Sequence, residues 1–239
     1  MDAAALLGKL AEAPDRSALL FDVDGVLAPI VPRPELAAVP EATRAELRRL
    51  ADRYRLVACV SGRTGDDGRR VLGVDGIEVV GNHGLELDPR ADAFAPRLAA
   101  FRETIAWPVE DKRLSLSLHY REALDEDAAR AALERVAERA HAAGLVPRFG
   151  RKVLEIRPPI DADKGTAVRA LLARTGATRA LYAGDDTTDL DAFAGLAAAT
   201  LEHAVCVAVA SAEGPAPLRE AADLVAESPE DFAKLLALL

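Results

Sequence analysis

Residues 17–25 read Ser17-Ala18-Leu19-Leu20-Phe21-Asp22-Val23-Asp24-Gly25, an apolar run that stops at two acids and a glycine. A short apolar run bounded by turn residues has the texture of a strand buried on both faces. The same texture returns at Leu56–Val60, ending in Ser61-Gly62, and at Ile77–Val80, ending in Gly81-Asn82-His83-Gly84. It returns again at Arg179–Ala183, which leads into Gly184-Asp185-Asp186, and at Ala204–Val209. Helical patterns fill the gaps. Glu41 to Tyr54 places Leu47, Leu50, Ala51 and Tyr54 on one face with Pro40 at the first turn, and a final helix is capped at Ser228 with Pro229 following. Buried strands alternating with helices predict an α/β fold, a doubly wound, Rossmann-like parallel sheet.

The middle of the chain reads differently. Arg113 to His119 (RLSLSLH) alternates strictly, so Leu114, Leu116 and Leu118 are expected to face a core, with Ser115, Ser117 and His119 outward. Asp125 then caps a helix with the apolar stripe Ala129, Ala132, Leu133, Val136, Ala137 and Ala140, ended by Gly144. Lys152 to Arg157 alternates again, with Leu154 and Ile156 inward and Glu155 and Arg157 outward. The expected organisation is a core domain of residues 1–83 and 159–239, interrupted by an α+β cap over residues 84–158.

Composition narrows the function classes. Half of the 239 residues are apolar, and 39 acids against 30 Lys and Arg give a net charge of −9. With no basic stripe, a nucleic-acid partner is not expected. A small phosphate ester remains compatible, because a metal ion and a lysine can supply positive charge locally. No run approaches the roughly 18 apolar residues of a membrane span. The first twenty residues carry acids and lack a secretory pattern. The expected compartment is therefore the cytoplasm, with Cys59 and Cys206 as buried thiols rather than a disulfide. A monomer is compatible with this pattern.

In a doubly wound sheet, ligands sit at the carboxyl ends of the strands. Here those ends carry Asp22 and Asp24, Ser61 to Arg63, Asn82 and His83, and Asp185 with Asp186. Carboxylates crowded there repel one another, and a hard divalent cation removes that penalty. Magnesium suits a site where a phosphate supplies further oxygens. With Gly25 turning the chain, Asp22 and Asp24 can aim at one crevice, one to attack phosphorus and one to give a proton to the leaving oxygen. Lys164 is the first residue of a helix, and a helix N-terminus with an ammonium is an anion site.

FDVDGVLAPI, VSGR, DKG and GDDTTDLDAF, in that order, resemble the four motifs of the haloacid dehalogenase-like phosphatases. More narrowly, GNHGLEL, EDKRLSLSLHYR, GRKVLEIRP and GDDTTDLDAF are similar to segments of trehalose-6-phosphate phosphatases. The resemblance implies that Asp22 is the nucleophile and Asp24 the general acid and base. It implies that Ser61, Gly62 and Lys164 hold the phosphate. Magnesium is implied between the Asp22 side chain, the Asp24 carbonyl and the Asp185 side chain, with Asp186 or Asp189 steadying bound waters. Glu110, Lys112 and Glu155, with Arg63, are implied contacts to a small-molecule sugar phosphate. His119, on the outward strand face, is a further candidate contact or a surface histidine, and Asn82 and His83, where the chain leaves the core, are candidates for a ligand contact or a hinge turn. The implied reaction is hydrolysis of trehalose 6-phosphate through an aspartyl phosphate. Another sugar phosphate, such as sucrose phosphate or mannosylphosphoglycerate, and an inactive sugar-phosphate-binding regulator are the alternatives. Two residues depart from the pattern: Val26 replaces a threonine, and Leu190 replaces a glutamate. The lost hydroxyl of the first is worth about 0.5–1.5 kcal/mol within the loop.

Overall fold

Every residue of strand β1 (Ser17–Phe21) is buried, so it needs a neighbour on both edges and a covering layer on both faces. The computed structural model, which describes residues 2–150, 152–209 and 214–239, provides them. The chain divides into two compact units, Met1–Gly84 with Ala162–Leu239, and Leu85–Asp161.

In chain order the first unit begins with α1 (Ala3–Ala11), β1, α2 (Glu41–Ala51), β2 (Leu56–Val60), α3 (Gly65–Leu72) and β3 (Glu78–Val80). The second unit contributes α4 (Ala95–Arg102), β4 (Glu110–Asp111), β5 (Leu116–His119), α5 (Glu126–Ala142), β6 (Val146–Gly150) and β7 (Val153–Arg157). The first unit resumes with α6 (Lys164–Thr175), β8 (Arg179–Gly184), α7 (Asp189–Ala197), β9 (His203–Val209), α8 (Ala216–Ala221), β10 (Leu224–Ala226) and α9 (Pro229–Leu236).

The first unit's sheet runs β10-β9-β8-β1-β2-β3, with every pairing parallel. Successive side chains of β1 point to opposite faces. Leu19 and Phe21 join Leu181, Val205 and Val207 in a core with Leu7, Leu10, Leu47, Leu50 and Phe232 of the helices. The rings of Phe21 and Phe232 meet edge-on, centroids 5.8 Å apart. Tyr182 points the other way and meets Phe193 of α7. The sheet is thus covered on both faces, as the buried-strand texture predicts. Each fully buried Leu or Phe contributes about 1.5–3 kcal/mol.

Helices α6 and α7 approach to backbone contact. A β-carbon on Gly165 would collide with the Asp191 carbonyl oxygen, and one on Gly195 would lie 2.5 Å from the Gly165 oxygen. Asp163 caps α6 through a reciprocal capping box with Thr166, and Gly176 ends it at φ +65°.

The second unit's sheet runs β4-β5-β7-β6, all antiparallel. Leu116, Leu118, Leu154 and Ile156 pack with Leu133, Val136 and Ala140 of α5, and Asp125 caps that helix by accepting from the Ala128 amide. Three expectations need correction. Ser115 and Ser117 are 4 % and 1 % exposed, and Arg157 is 5 % exposed, so the polar face is covered at these positions instead of open. Strand β5 starts at Leu116 because Arg113, at φ +64°, has already turned the chain. Helix α2 ends at Ala51, and Pro40 is its N-cap residue rather than part of the first turn. Cys59 and Cys206 are free thiols, Cys59 buried as expected and Cys206 only partly so. No helix among the described residues is long and apolar enough to cross a membrane.

Candidate active site

Strand β1 has β2 on one side and β8 on the other, with Phe21 in register with Cys59 and with Ala183. All three are parallel, so Asp22, Ser61 and Asp185 leave the sheet at the same edge. The Asp22 amide still donates to the Ala183 carbonyl, at 2.9 Å. Beyond it the chain folds into a tight turn. The Leu27 and Ala28 amides donate to the Val23 carbonyl at 3.0 and 2.8 Å, and the Gly25 amide donates to the Ala28 carbonyl at 2.8 Å. Val23, Val26, Leu27 and Ala28 are all buried. At Val26 the missing hydroxyl is therefore replaced by apolar packing. Gly25 takes φ +76°, and a β-carbon there would fall onto the Asp185 carboxylate. That glycine brings the two acidic loops together.

Lys164, the first residue of α6, is 2 % exposed. Its ammonium donates to Asp22 Oδ2 and, at 2.7 Å, to Asp189 Oδ1. Asp22, Asp185 and Asp189 each offer a carboxylate oxygen within 4.8 Å of the others. Three acids thus surround one ammonium, which leaves negative charge uncompensated. Burial, with Asp189 and Asp24 adding to it and Lys164 opposing it, pushes the Asp22 carboxyl up to about 7. Burial, then Asp22 and Asp189, pushes Asp185 up to about 9. Burial works against the charge on Lys164, but Asp189 and Asp22 outweigh it and hold the ammonium well above its ordinary value. A hard divalent cation fits this donor set, since it would relieve the surplus of carboxylate charge with oxygen ligands alone.

The other sequence-predicted residues divide into those gathered here and those elsewhere. Asp189 is fully buried. Its Oδ1 also accepts the Tyr182 hydroxyl at 2.7 Å, and its Oδ2 accepts the amides of Asp185 and Asp186 at 2.9 and 3.0 Å. Asp186 itself is exposed, lies outside the acidic trio, and turns its carboxylate to the Thr187 amide at 2.6 Å. Asp24 does not share the lysine. Its carboxylate takes a two-pronged contact from Arg63, Nε to Oδ2 at 2.6 Å and Nη2 to Oδ1 at 2.8 Å, and Arg63 also reaches Asp67. Ser61 is 1 % exposed and accepts the Arg63 amide on its hydroxyl at 3.2 Å. The turn after β3 folds back on this loop. The Asn82 amide donates to the Arg63 carbonyl at 2.7 Å, and the His83 amide to the Ser61 carbonyl at 2.9 Å. The His83 ring would lie 2.7 Å from a β-carbon on Gly62, so only glycine leaves it room.

Glu110, Lys112, His119 and Glu155 belong to the second unit. Ser117 stands opposite Glu110 and opposite Glu155, so the three share one sheet face. His119 is two residues along the same face. Its Nε2 lies 2.9 Å from Glu110 Oε2, and the Lys112 ammonium lies 3.9 Å from that oxygen. Two features escape sequence reading: the Arg63 clasp on Asp24 and the buried Tyr182. An arginine after Ser-Gly and a tyrosine in an apolar strand carry no signal of either.

Residues 20–95 and 100–224 match the family model for trehalose-phosphatase. The chain is 38% identical over 204 residues to an uncharacterized glycosyl hydrolase of Mycobacterium tuberculosis, covering 74% of this chain and 15% of that protein. It is 38% identical over 202 residues to a trehalose-phosphate phosphatase of Mycobacterium avium, covering 74% of this chain and 50% of the relative. It therefore spans about half the length of that phosphatase. The C-terminal domain of a C. albicans trehalose-6-phosphate phosphatase superposes with a TM-score of 0.71 at 21% identity, covering 100% of this chain and 96% of that one. At that identity the likeness speaks for the fold.

Proposed function

The chain belongs to the trehalose-phosphatase family, and from that premise we infer that it hydrolyses trehalose 6-phosphate to trehalose and inorganic phosphate. One observation carries the reading: the buried Lys164 ammonium bridges Asp22 and Asp189 at the carboxyl edge of the sheet, beside Asp185. A cation poised on a nucleophilic carboxylate, among acids that need a second cation, suits a dianionic phosphoryl group.

In this reading Asp22 Oδ attacks phosphorus in line. The P–O bond to the sugar breaks as the P–O bond to Asp22 forms, and Asp24 gives its proton to the departing sugar oxygen. Asp24, now anionic, takes a proton from water. That water attacks the aspartyl phosphate, and inorganic phosphate leaves as Asp22 is regenerated. Lys164 and the Ser61–Gly62 loop bind the phosphoryl oxygens as their charge grows. Arg63 orients the Asp24 carboxylate. A magnesium ion held by the Asp22 and Asp185 side chains and the Asp24 carbonyl, with Asp186 or Asp189 on its waters, would supply electrostatic activation of the phosphoryl group. Glu110, Lys112, His119 and Glu155, with Asn82 and His83, are assigned to the sugar.

The test is phosphate release from trehalose 6-phosphate, sucrose 6-phosphate, mannosylphosphoglycerate and an aryl phosphate, each with magnesium and with excess chelator. The expected result is magnesium-dependent turnover that is fastest on trehalose 6-phosphate. Full turnover in chelator would remove the cation from the reading, and preference for another ester would reassign the substrate.

A further inference from the structure

Tyr182 is the largest fully buried side chain among the described residues. Its ring meets Phe193 edge-on, with centroids 6.1 Å apart at 81°. Volume alone would be filled as well by phenylalanine. Burying the extra hydroxyl is unfavourable without a partner. That partner is Asp189 Oδ1 at 2.7 Å, the same oxygen that accepts the Lys164 ammonium at 2.7 Å. A carboxylate only accepts, so the phenol donates. The other Asp189 oxygen is occupied by the Asp185 and Asp186 amides. Asp189 thus receives four donors, and Tyr182 is the single neutral side chain among them.

We propose that Tyr182 is a positioning residue, whose hydroxyl shares Asp189 Oδ1 with Lys164 and so sets how firmly the ammonium is drawn away from Asp22 and the phosphoryl oxygens. An oxygen with two donors holds each less tightly than an oxygen with one. Without the phenol, Lys164 becomes the sole donor to Oδ1 and settles onto Asp189. Its reach toward Asp22 weakens, and the loss falls where phosphoryl charge is greatest, in the transition state. The amides on Oδ2 stay in place, so the Asp185 loop keeps its shape. This rests on reading the site as a phosphoryl-transfer centre.

The experiment compares wild type, Tyr182→Phe and Phe193→Leu on 4-nitrophenyl phosphate with magnesium, with orthovanadate as inhibitor and thermal melting alongside. Tyr182→Phe keeps the ring and loses only the hydroxyl. The expected kcat is about tenfold lower, one decade being about 1.36 kcal/mol of barrier. KM and half-saturating magnesium should stay within about twofold, and orthovanadate inhibition should weaken about tenfold, on the same scale of a lost hydrogen bond to a charged group. Phe193→Leu loosens the packing around the ring without touching the hydroxyl. It should lower the melting temperature while leaving kcat and orthovanadate inhibition at wild-type values. A Tyr182→Phe enzyme with wild-type kcat and inhibition overturns the proposal. So do losses in both variants that simply track the melting temperature. A wild-type protein that hydrolyses no phosphate ester brings down both the phosphatase reading and the proposal, whereas an active wild type with an unaltered Tyr182→Phe variant brings down the proposal alone.

Discussion

Replacing Gly25 by alanine tests the claim that this glycine brings Asp185 to Asp22. Two costs follow from the geometry. At φ +76° an alanine pays about 1–2 kcal/mol of left-handed strain, which for a domain of this size lowers the melting temperature by roughly 2–8 °C. The new β-carbon also overlaps the Asp185 carboxylate, whose farther oxygen would be 2.8 Å away where ordinary contact begins at 3.4 Å. The farther oxygen must retreat at least 0.6 Å by that difference, and the nearer atoms must move further. A displacement on the order of 1 Å at a reacting centre costs about 10²-fold in rate. The assay is a magnesium titration of aryl phosphate turnover, with kcat expected to fall about 10²-fold and half-saturating magnesium to rise about tenfold. Gly76→Ala is the control. Gly76 has φ +80° but nothing within 4 Å of a β-carbon, so it shares the strain without the collision and should melt earlier with normal turnover. If Gly25→Ala matched Gly76→Ala in both turnover and magnesium dependence, the role given to Gly25 would be wrong.

Asp22→Asn should abolish turnover and any acid-trapped phosphoenzyme, while Asp24→Asn should slow turnover by roughly 10²–10⁴; near-normal turnover in Asp22→Asn would force another nucleophile. Glu155→Ala or Lys112→Ala should lose about ten- to a hundredfold in kcat/KM on trehalose 6-phosphate, the scale of an unpaired buried polar partner, and almost nothing on an aryl phosphate; equal losses on both substrates would assign these residues to the fold. The carboxyls of Asp22 and Asp185, raised to about 7 and about 9, bind protons in the folded protein at pH values where the unfolded chain has released them. Metal-free stability should therefore fall as pH rises from about 4 to about 9, and magnesium should offset the fall by taking the protons' place. A melting temperature that rises over this window, or one that ignores magnesium at pH 8–9, would contradict this account.

The strand ends were legible because a strand buried on both faces must be apolar along its length, so the acids of Asp22 and Asp185 stand out where the sheet stops. Lys164 was legible as a helix-start lysine, though its burial was not. Alternation reports which face a residue occupies and says nothing about whether that face is covered. For that reason Ser115, Ser117 and Arg157 were expected outward and are buried. The Arg63 clasp and the Tyr182 hydroxyl were invisible for a related reason. Both depend on where a side chain ends, and the pattern of the chain fixes only where it begins. Val26 reads as a lost hydrogen bond in sequence, whereas its complete burial makes it a packing residue.

The order of strands across the sheet also bears on how the protein is made. Strand β1 pairs early with β2, but its other edge waits for β8, whose first residue, Arg179, pairs with Ser17. All of Leu85–Asp161, a unit with its own core, lies between the two. At translation rates of about 5–20 residues per second, that edge stays open for roughly ten to thirty seconds on the ribosome. During this interval the insert can complete its own fold, while the backbone N–H and C=O groups along that edge of β1 have no partner and are open to mispairing. Nascent chains of this protein should therefore lean on chaperones until β8 has emerged, and Asp22 should meet Lys164 only after the whole insert has been made.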